Sequence, residues 1–238
     1  MKYYRTLYPF KVISFDLDDT LYDNSQVILD AEQRCVDVLH ELSGIAELNR
    51  DYWNQWKERI AKRFPLLMEN VTEWRIQTIN ELLTHHKKSA VEIEKISNIA
   101  MKNFFEWRHK MQVPQANLEA LNQLKNYYKL AAITNGNVTP QRAGLNQFDL
   151  VLTGGVHGRA KPHQDLFHQA ADYFKVQPNE ILHVGDNLIT DVQGAIQAGC
   201  QAAWINLSNQ SLNQLAEANL CPTLEIFAIT DLLNLIHQ

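Results

Sequence analysis

The chain is short of cysteine, glycine and proline. Three cysteines (Cys35, Cys200 and Cys221) lie far apart in 238 residues, and none forms a C-x-x-C pair. That excludes a disulfide framework or zinc ribbon and fits unpaired thiols in a reducing compartment. Nine glycines and seven prolines exclude a collagenous or low-complexity chain. No apolar run approaches the roughly 18–20 residues of a membrane span, and no apolar segment follows Lys2 and Arg5 to make a signal peptide, so no membrane partner and a cytoplasmic location are expected. A basic face is missing too. The net charge is −5, which argues against nucleic acid as the main partner. Residues 24–110 hold 13 acidic and 13 basic side chains, so the acidic excess lies outside them. Nine histidines occur without H-E-x-x-H spacing. His183, inside an apolar run, reads as a hydrogen-bonded core residue.

A hydrophobic content of 45% in a chain of this length suits one large domain, or one domain with an insert. Short apolar runs at Val12–Phe15, Leu130–Thr134, Asp149–Thr153, Ile181–Val184 and Ala202–Leu207 read as buried parallel strands. Helix-period segments separate them, among them Leu118–Tyr128, Leu166–Phe174 and Val192–Ala198, the last stopped by Gly199. The expected class is α/β, a Rossmann-like parallel sheet with helices on both faces. Residues 24–111 break the rhythm. Four helices are expected there, Val27–Leu42, Asp51–Arg63, Thr72–His85 and Val91–Lys110, with Thr72 as an N-cap and four of the five tryptophans. The organisation is therefore a catalytic core of 1–23 and 112–238 with an all-helical insert of 24–111, hinged near Asp23–Ser25 and Gln112–Gln115.

Chemistry gathers at the strand ends. The first strand runs into Asp16-Leu17-Asp18-Asp19-Thr20, another into Thr134-Asn135-Gly136-Asn137, and a third into Gly185-Asp186-Asn187 with Asp191 five residues beyond Asp186; Lys161-Pro162 precedes a helix. Ligands in open parallel sheets bind beyond the carboxyl ends of the strands, so these pieces should converge. Asp16 and Asp18 leave the strand on the same side, and adjacent carboxylates repel unless a cation sits between them. Mg²⁺, a hard ion that shares its shell between carboxylates, water and phosphate, is the expected cofactor, with Asp186 as a further carboxylate and Asp191 as outer support. Lys161, the Thr134 hydroxyl and the Asn135 amide suit a phosphoryl group. Asp16 is placed to attack phosphorus and Asp18 to move the proton. Asp19 should face away and serve the turn.

These four motifs, in this order, resemble those of the haloacid dehalogenase (HAD) superfamily, and the helical insert resembles its C1-type cap. "DLDDTLYDN", "VTEWR", "ITNGN", "HGRAKP" and "ILHVGD" are together similar to the bacterial flavin-pathway phosphatases, which act on 5-amino-6-(5-phospho-D-ribitylamino)uracil and FMN. The resemblance implies Asp16 as nucleophile, Asp18 as acid/base, Thr134, Asn135 and Lys161 as phosphate-binding residues, and Mg²⁺ held by Asp16, Asp186 and the main-chain carbonyl of Asp18. Asn187 departs from a pattern that often carries aspartate there. Trp74 and Arg75 are candidate substrate contacts in the insert. The substrate expected is a small phosphorylated metabolite of the riboflavin pathway. The alternatives are a phosphatase of sugar phosphates or other metabolites, a phosphomutase, a phosphonate hydrolase using Lys57 or Lys62, a haloacid dehalogenase, which Asp18 argues against, and a catalytically silent HAD-fold binding protein.

Overall fold

A computed structural model describes residues 1–212 and 219–236. The chain divides into two compact units, one of 1–23, 112–136 and 140–238, the other of 24–111 and 137–139.

The first unit is built on a seven-stranded sheet of β1 (Lys2–Tyr3), β2 (Val12–Phe15), β3 (Lys129–Thr134), β4 (Leu150–Thr153), β5 (Ile181–Gly185), β6 (Gln201–Ile205) and β7 (Leu224–Ile226), in the order β1-β7-β6-β5-β2-β3-β4. All neighbours run parallel except β1, which is antiparallel to β7. Strands covered on both faces need apolar side chains at every position, and β2 is fully buried over V-I-S-F. Two positions in the central strands are polar yet wholly buried, Ser14 and His183. Phe15 is in register with Ala132 of β3 and Val184 of β5, so the residues after all three strands emerge side by side. Helix α5 (Gln115–Leu124) buries Ala120, Leu121 and Leu124, and helix α6 (Asp165–Phe174) packs Leu166, Phe167, Ala170 and Ala171 into a core shared with Val12, Ile133, Ile181 and Trp204. Among the described residues, no helix is long and apolar enough to cross a membrane.

Several expectations shift. Strands β1 and β7 were not anticipated: one is two residues long, and the other contains Glu225, an acidic residue that periodicity places outside. Glu225 is buried because Tyr4 Oη (2.6 Å) and Asn206 Nδ2 (2.6 Å) donate to it and Lys2 Nζ lies 3.3 Å away. The strand expected to reach Leu207 ends at Ile205, and Leu207 is exposed. The helix expected from Val192 begins as a wide π-type turn, Leu188–Gln193, and becomes α-helical only as α7 (Gly194–Gln197). Asn187 caps that turn by accepting from the N–H groups of Ile189 (2.9 Å) and Thr190 (3.0 Å). The Asn187 amide thus has a structural use.

The second unit holds α1 (Ser25–Ser43), α2 (Arg50–Arg63), α3 (Val71–His85) and α4 (Ala90–Arg108). Gly44, with φ +67°, ends α1 in the left-handed conformation that glycine takes without steric cost. Asn49 caps α2, and Ser89 with Glu92 forms a reciprocal capping box on α4. The cap of α3 is Asn70, whose side chain accepts from Glu73 N–H at 3.1 Å; Thr72 lies inside the first turn and is not the cap. The apolar stripes of the helices meet in a core of Cys35, Leu39, Trp53, Ile79, Leu82 and Phe104, among others.

That core holds a charge cluster. Glu32, 5% exposed, pairs with Arg75, accepts from Trp53 Nε1 at 2.9 Å and lies 3.3 Å from Lys57 Nζ. Burial alone would raise the Glu32 carboxyl, but the charges of Arg75 and Lys57 and its donated hydrogen bonds bring it down to about 2. Arg75→Leu strands this carboxylate, and the expected cost is about 3–5 kcal/mol at neutral pH. Because the folded-state value is depressed, that contribution is present above the ordinary glutamate range and lost as pH falls towards 2. Denaturant melts of wild type and variant at neutral and acidic pH should show the difference shrinking in acid; a difference that stays constant would rule out the ionised pair as its source.

Candidate active site

The site is assembled in the first unit at the carboxyl ends of β2, β3 and β5. Asp16 follows β2 directly, and its N–H donates to Val184 O (2.8 Å), so it leaves the sheet still in register with β5. Asp18 accepts from Tyr22 Oη at 2.8 Å. Asp19, with φ +58°, donates its N–H to Tyr22 O at 2.9 Å, and this closes the turn that returns the chain past Asp18. Thr20 Oγ1 accepts from Asp186 N–H (3.2 Å) and donates to Asp186 Oδ1 (3.2 Å), a two-point clip between the first and last motifs. Trp204 Nε1 donates to Asp186 O at 2.8 Å. A Cβ on Gly136 would meet the Asp18 carboxylate, and one on Gly185 would meet the Asp191 side chain, so both glycines exist to let a carboxylate approach the backbone.

Lys161 is 3% exposed, and its ammonium donates to Asp16 Oδ1 (2.8 Å) and Asp191 Oδ1 (2.6 Å). Burial would lower its pKa, but the two carboxylates outweigh this and raise it. Its main chain is fixed by Asn135, whose Nδ2 donates to Lys161 O (2.8 Å) while Oδ1 accepts from Lys161 N–H (2.9 Å). The Asn135 side chain, expected to donate to phosphate, thus uses its oxygen and one of its two N–H donors on placing the lysine. Thr134 Oγ1 accepts from Gly136 N–H at 2.9 Å, which points the hydroxyl proton elsewhere.

Asp16, Asp186 and Asp191 each offer a carboxylate oxygen within 4.8 Å of the others. Burial pushes the Asp16 carboxyl up to about 8, against the pull of Lys161. Burial, with Asp191 and Asp19 nearby, pushes Asp186 up to about 6. Asp191 stays well below the usual carboxylate range: its own burial opposes this, but Lys161 and His183 hold it there. Burial, and then the charge of Lys161, brings His183 down to about 4, so the ring is neutral at physiological pH. Three carboxyl groups face one ammonium, and when all three are ionised two negative charges are left uncompensated. A divalent cation restores the balance, and the all-oxygen donor set suits a hard one such as Mg²⁺. The oxygens of Asp191 are already engaged, Oδ1 by Lys161 and His183 and Oδ2 by Asn187 N–H (3.0 Å), so Asp16 and Asp186 are the better placed ligands and Asp191 the support behind them. Asp16 is not ionised at neutral pH simply by being a carboxylate; its burial makes the anion depend on a neighbouring positive charge.

A groove of about 380 Å³ opens beside Asp186, walled by Asp19, Asp23, Trp204 and Asn206. Its walls carry the carboxylates of Asp19, Asp23 and Asp186, which repel anions.

The candidate substrate contacts of the helical unit fare differently. Arg75 is 5% exposed, paired with Glu32, its guanidinium 3.7 Å from the centre of the Phe104 ring. It is a core residue, and the expectation of a substrate contact there is withdrawn. Trp74 is half-buried, donates Nε1–H to Lys57 O (3.1 Å) and carries the Lys57 ammonium 4.8 Å from its ring centre. Trp53 and Trp56 are buried together in the helical core.

Thr20 stands with the first motif and His183 in the core, as expected, but sequence reasoning missed Trp204 and the link to this region through Ser14 and His183. The signal for the last two was present as lone polar residues in apolar strands; Ser14 Oγ lies 2.9 Å from His183 Nδ1, and His183 Nε2 lies 3.4 Å from Asp191 Oδ1.

With this geometry set out, the comparisons with known proteins fall into place. The family model described as haloacid dehalogenase-like hydrolase matches residues 10–199. The chain is 39% identical over 238 residues to the 5-amino-6-(5-phospho-D-ribitylamino)uracil phosphatase YigB of Escherichia coli, covering 99% of this chain and 100% of that one. It is 26% identical to the human N-acylneuraminate-9-phosphatase, covering 82% of each. Among solved structures it is similar to a 2-haloacid dehalogenase from Pseudomonas syringae pv. Tomato, with a TM-score of 0.88, 27% identity, and coverage of 96% of this chain and 98% of that one.

Proposed function

Because this chain belongs to the haloacid dehalogenase-like hydrolases and is a phosphatase, we propose that it hydrolyses 5-amino-6-(5-phospho-D-ribitylamino)uracil, with FMN as a second ring-bearing substrate, through a phosphoryl group carried on Asp16. The observation that carries the mechanism is the placement of Asp16, Asp18 and Asp186 at the adjacent ends of β2 and β5, with Lys161, from the loop before α6, bonded to Asp16. The substrate assignment rests on the 39% identity over the whole chain to a phosphatase of that name.

An Asp16 carboxylate oxygen attacks phosphorus, and the P–O bond to the leaving alkoxide breaks as Asp18 gives that oxygen its proton. Asp18 then takes a proton from water as the water oxygen attacks the same phosphorus, and the bond from phosphorus to Asp16 breaks to release phosphate. Lys161 balances the charge that builds on the phosphoryl oxygens. Asp16 and Asp186, with the Asp18 main-chain carbonyl, would hold Mg²⁺. When bound, it supplies positive charge to the phosphoryl oxygens and keeps Asp16 ionised. We assign residues 24–111 the role of a cap that selects the leaving group, with Trp74 as the aromatic contact.

The test is phosphate release from the ribitylamino-uracil phosphate, FMN, sugar phosphates and p-nitrophenyl phosphate, with Mg²⁺ and with EDTA. Metal-dependent release with a preference for the ring-bearing ribityl phosphates supports the reading. A preference for sugar phosphates would move the substrate elsewhere. Likeness to a structure titled 2-haloacid dehalogenase favours a second reading, and Asp18, which dehalogenation does not need, weighs against it. Chloride release from 2-chloropropionate without metal would reverse that judgement.

The raised carboxyls also give a pH signature. Asp16, at about 8 in the folded chain, holds a proton that the unfolded chain releases, so its contribution to stability is present at low pH and lost as pH rises through 8. His183 runs the other way, but its change is complete by about pH 6.5, the ordinary histidine value. Between those limits the melting temperature in EDTA should fall with rising pH, and excess Mg²⁺ should flatten the slope. A melting temperature that rises with pH in EDTA would contradict the assignment.

A further inference from the structure

We infer that His183, held by Ser14, is a positioning residue for the phosphoryl-transfer site: it donates a hydrogen bond to Asp191 and so fixes the carboxylate that aims Lys161 at Asp16. The kinetic part of this rests on the phosphatase reading above.

Ser14 and His183 face each other across β2 and β5, both fully buried, in strands that are otherwise apolar. A buried polar pair in a strand core costs free energy unless it is satisfied, and an apolar pair would fill the same register without that cost. The ring is held edge-on against Phe167, with centroids 5.0 Å apart at 84°, so it cannot swing out of line. Its Nε2 faces Asp191 Oδ1 at 3.4 Å and its Nδ1 faces Ser14 Oγ at 2.9 Å. An ionised carboxylate only accepts, so a neutral ring next to it must carry its proton on Nε2. Nδ1 is then an acceptor, and Ser14 must be the donor. The chain of bonds runs from Ser14 through His183, Asp191 and Lys161 to Asp16 over distances of 2.9, 3.4, 2.6 and 2.8 Å.

This arrangement divides the Asp191 carboxylate between donors. Oδ2 takes the Asn187 N–H, and Oδ1 takes both His183 and Lys161. Without the histidine, Oδ1 has Lys161 as its one donor among these three. The ammonium is then drawn towards Asp191 and away from Asp16 and the phosphoryl oxygens. The consequence belongs to the transition state, where charge on those oxygens is greatest, so kcat should suffer more than KM.

The experiment compares wild type with His183→Met, His183→Gln and Ser14→Ala in the full chain. Long-range ¹H–¹⁵N correlation spectra of histidine-labelled wild type should show His183 protonated at Nε2 and bare at Nδ1. His183→Met keeps the bulk without a donor and should lower kcat about 10-fold or more, as loss of such an outer partner commonly does. KM should stay within about twofold, because ground-state binding is untouched. His183→Gln, whose amide can donate to Asp191 and accept from Ser14, should recover most of the loss. Ser14→Ala removes one bond and should lower kcat by about threefold. The inference is overturned by an Nδ1-protonated ring, by wild-type kcat in a folded His183→Met, or by His183→Gln performing no better than His183→Met. Should His183→Met fail to fold, Ser14→Ala decides: a reduced kcat at constant KM supports the inference, and an unchanged kcat overturns it. The proton assignment is read without turnover, so failure of the phosphatase reading is distinguishable from failure of this one.

Discussion

Asp16→Asn is expected to lower kcat by roughly 10⁴-fold or more, as loss of a covalent nucleophile does. The amide matches the carboxylate in shape, and its oxygen can still accept from Lys161, so the loss is chemical rather than structural. Stability points the other way. Asp16 is 9% exposed, and burial holds its carboxyl up at about 8, so at pH 8 and above in EDTA the wild-type chain bears the cost of ionising it inside the fold. The asparagine variant does not bear that cost. Its melting temperature in EDTA at that pH should equal or exceed that of wild type, and the downward slope with pH should be reduced. An inactive variant that is as stable as its parent, or more so, is the signature of a group kept for chemistry at the expense of the fold. An inactive variant with a much lower melting temperature would mean that Asp16 is a structural residue.

Lys161→Met is expected to damage both fold and function. The ammonium sits between Asp16 and Asp191 at 2.8 and 2.6 Å, with the lysine side chain 1% exposed. Methionine keeps the length and removes the charge, and so leaves two buried carboxylates facing each other. Breaking a buried pair from one side costs about 3–5 kcal/mol. The sign with pH follows from Asp191, whose carboxyl Lys161 and His183 hold below the usual range. The stability that this provides is present above the ordinary aspartate value and lost as pH falls below it. The variant's deficit should therefore be largest at neutral pH and shrink in acid, where the carboxylates are protonated in both proteins. Activity should fall by about 10²–10³-fold, the loss seen when one preorganised stabilising group is removed from a transition state. Denaturant melts across pH, read beside kcat, separate the two effects. A variant of unchanged stability would show that Lys161 does not hold the carboxylates together.

What the sequence disclosed and what it hid divide along the range of the interactions involved. The central strands were legible because each is a short apolar run ending in turn chemistry; Val12–Phe15 is the clearest. The four helices of residues 24–111 were legible from their periodicity to within two residues at each end. The convergence of Asp16, Thr134, Lys161 and Asp186 followed from the rule that parallel strands present their carboxyl ends at one edge. The misjudged features depend on partners far away in the chain. Arg75 reads as a surface cation until Glu32, 43 residues earlier, is placed beside it. Glu225 cannot be recognised as a buried strand residue without Tyr4, 221 residues away. His183 was read correctly as a hydrogen-bonded core residue, but its partner Ser14 stays hidden until β2 is paired with β5. The bonds from Asn135 to Lys161 were hidden as well, because nothing local reveals that its amide matches the main chain of Lys161.

The mechanism requires Asp16 to carry the phosphoryl group. The direct test is to mix wild-type chain with Mg²⁺ and a phosphomonoester it turns over, quench in acid within a few turnovers, and locate the phosphoryl group by peptide mass spectrometry. The expected result is an alkali-labile phosphoryl group on the peptide containing Asp16, absent from Asp16→Asn and from samples mixed with substrate in EDTA instead of Mg²⁺. Rapid metal-dependent turnover with no phosphoryl group on Asp16 at any quench time, and with activity retained in Asp16→Asn, would contradict it.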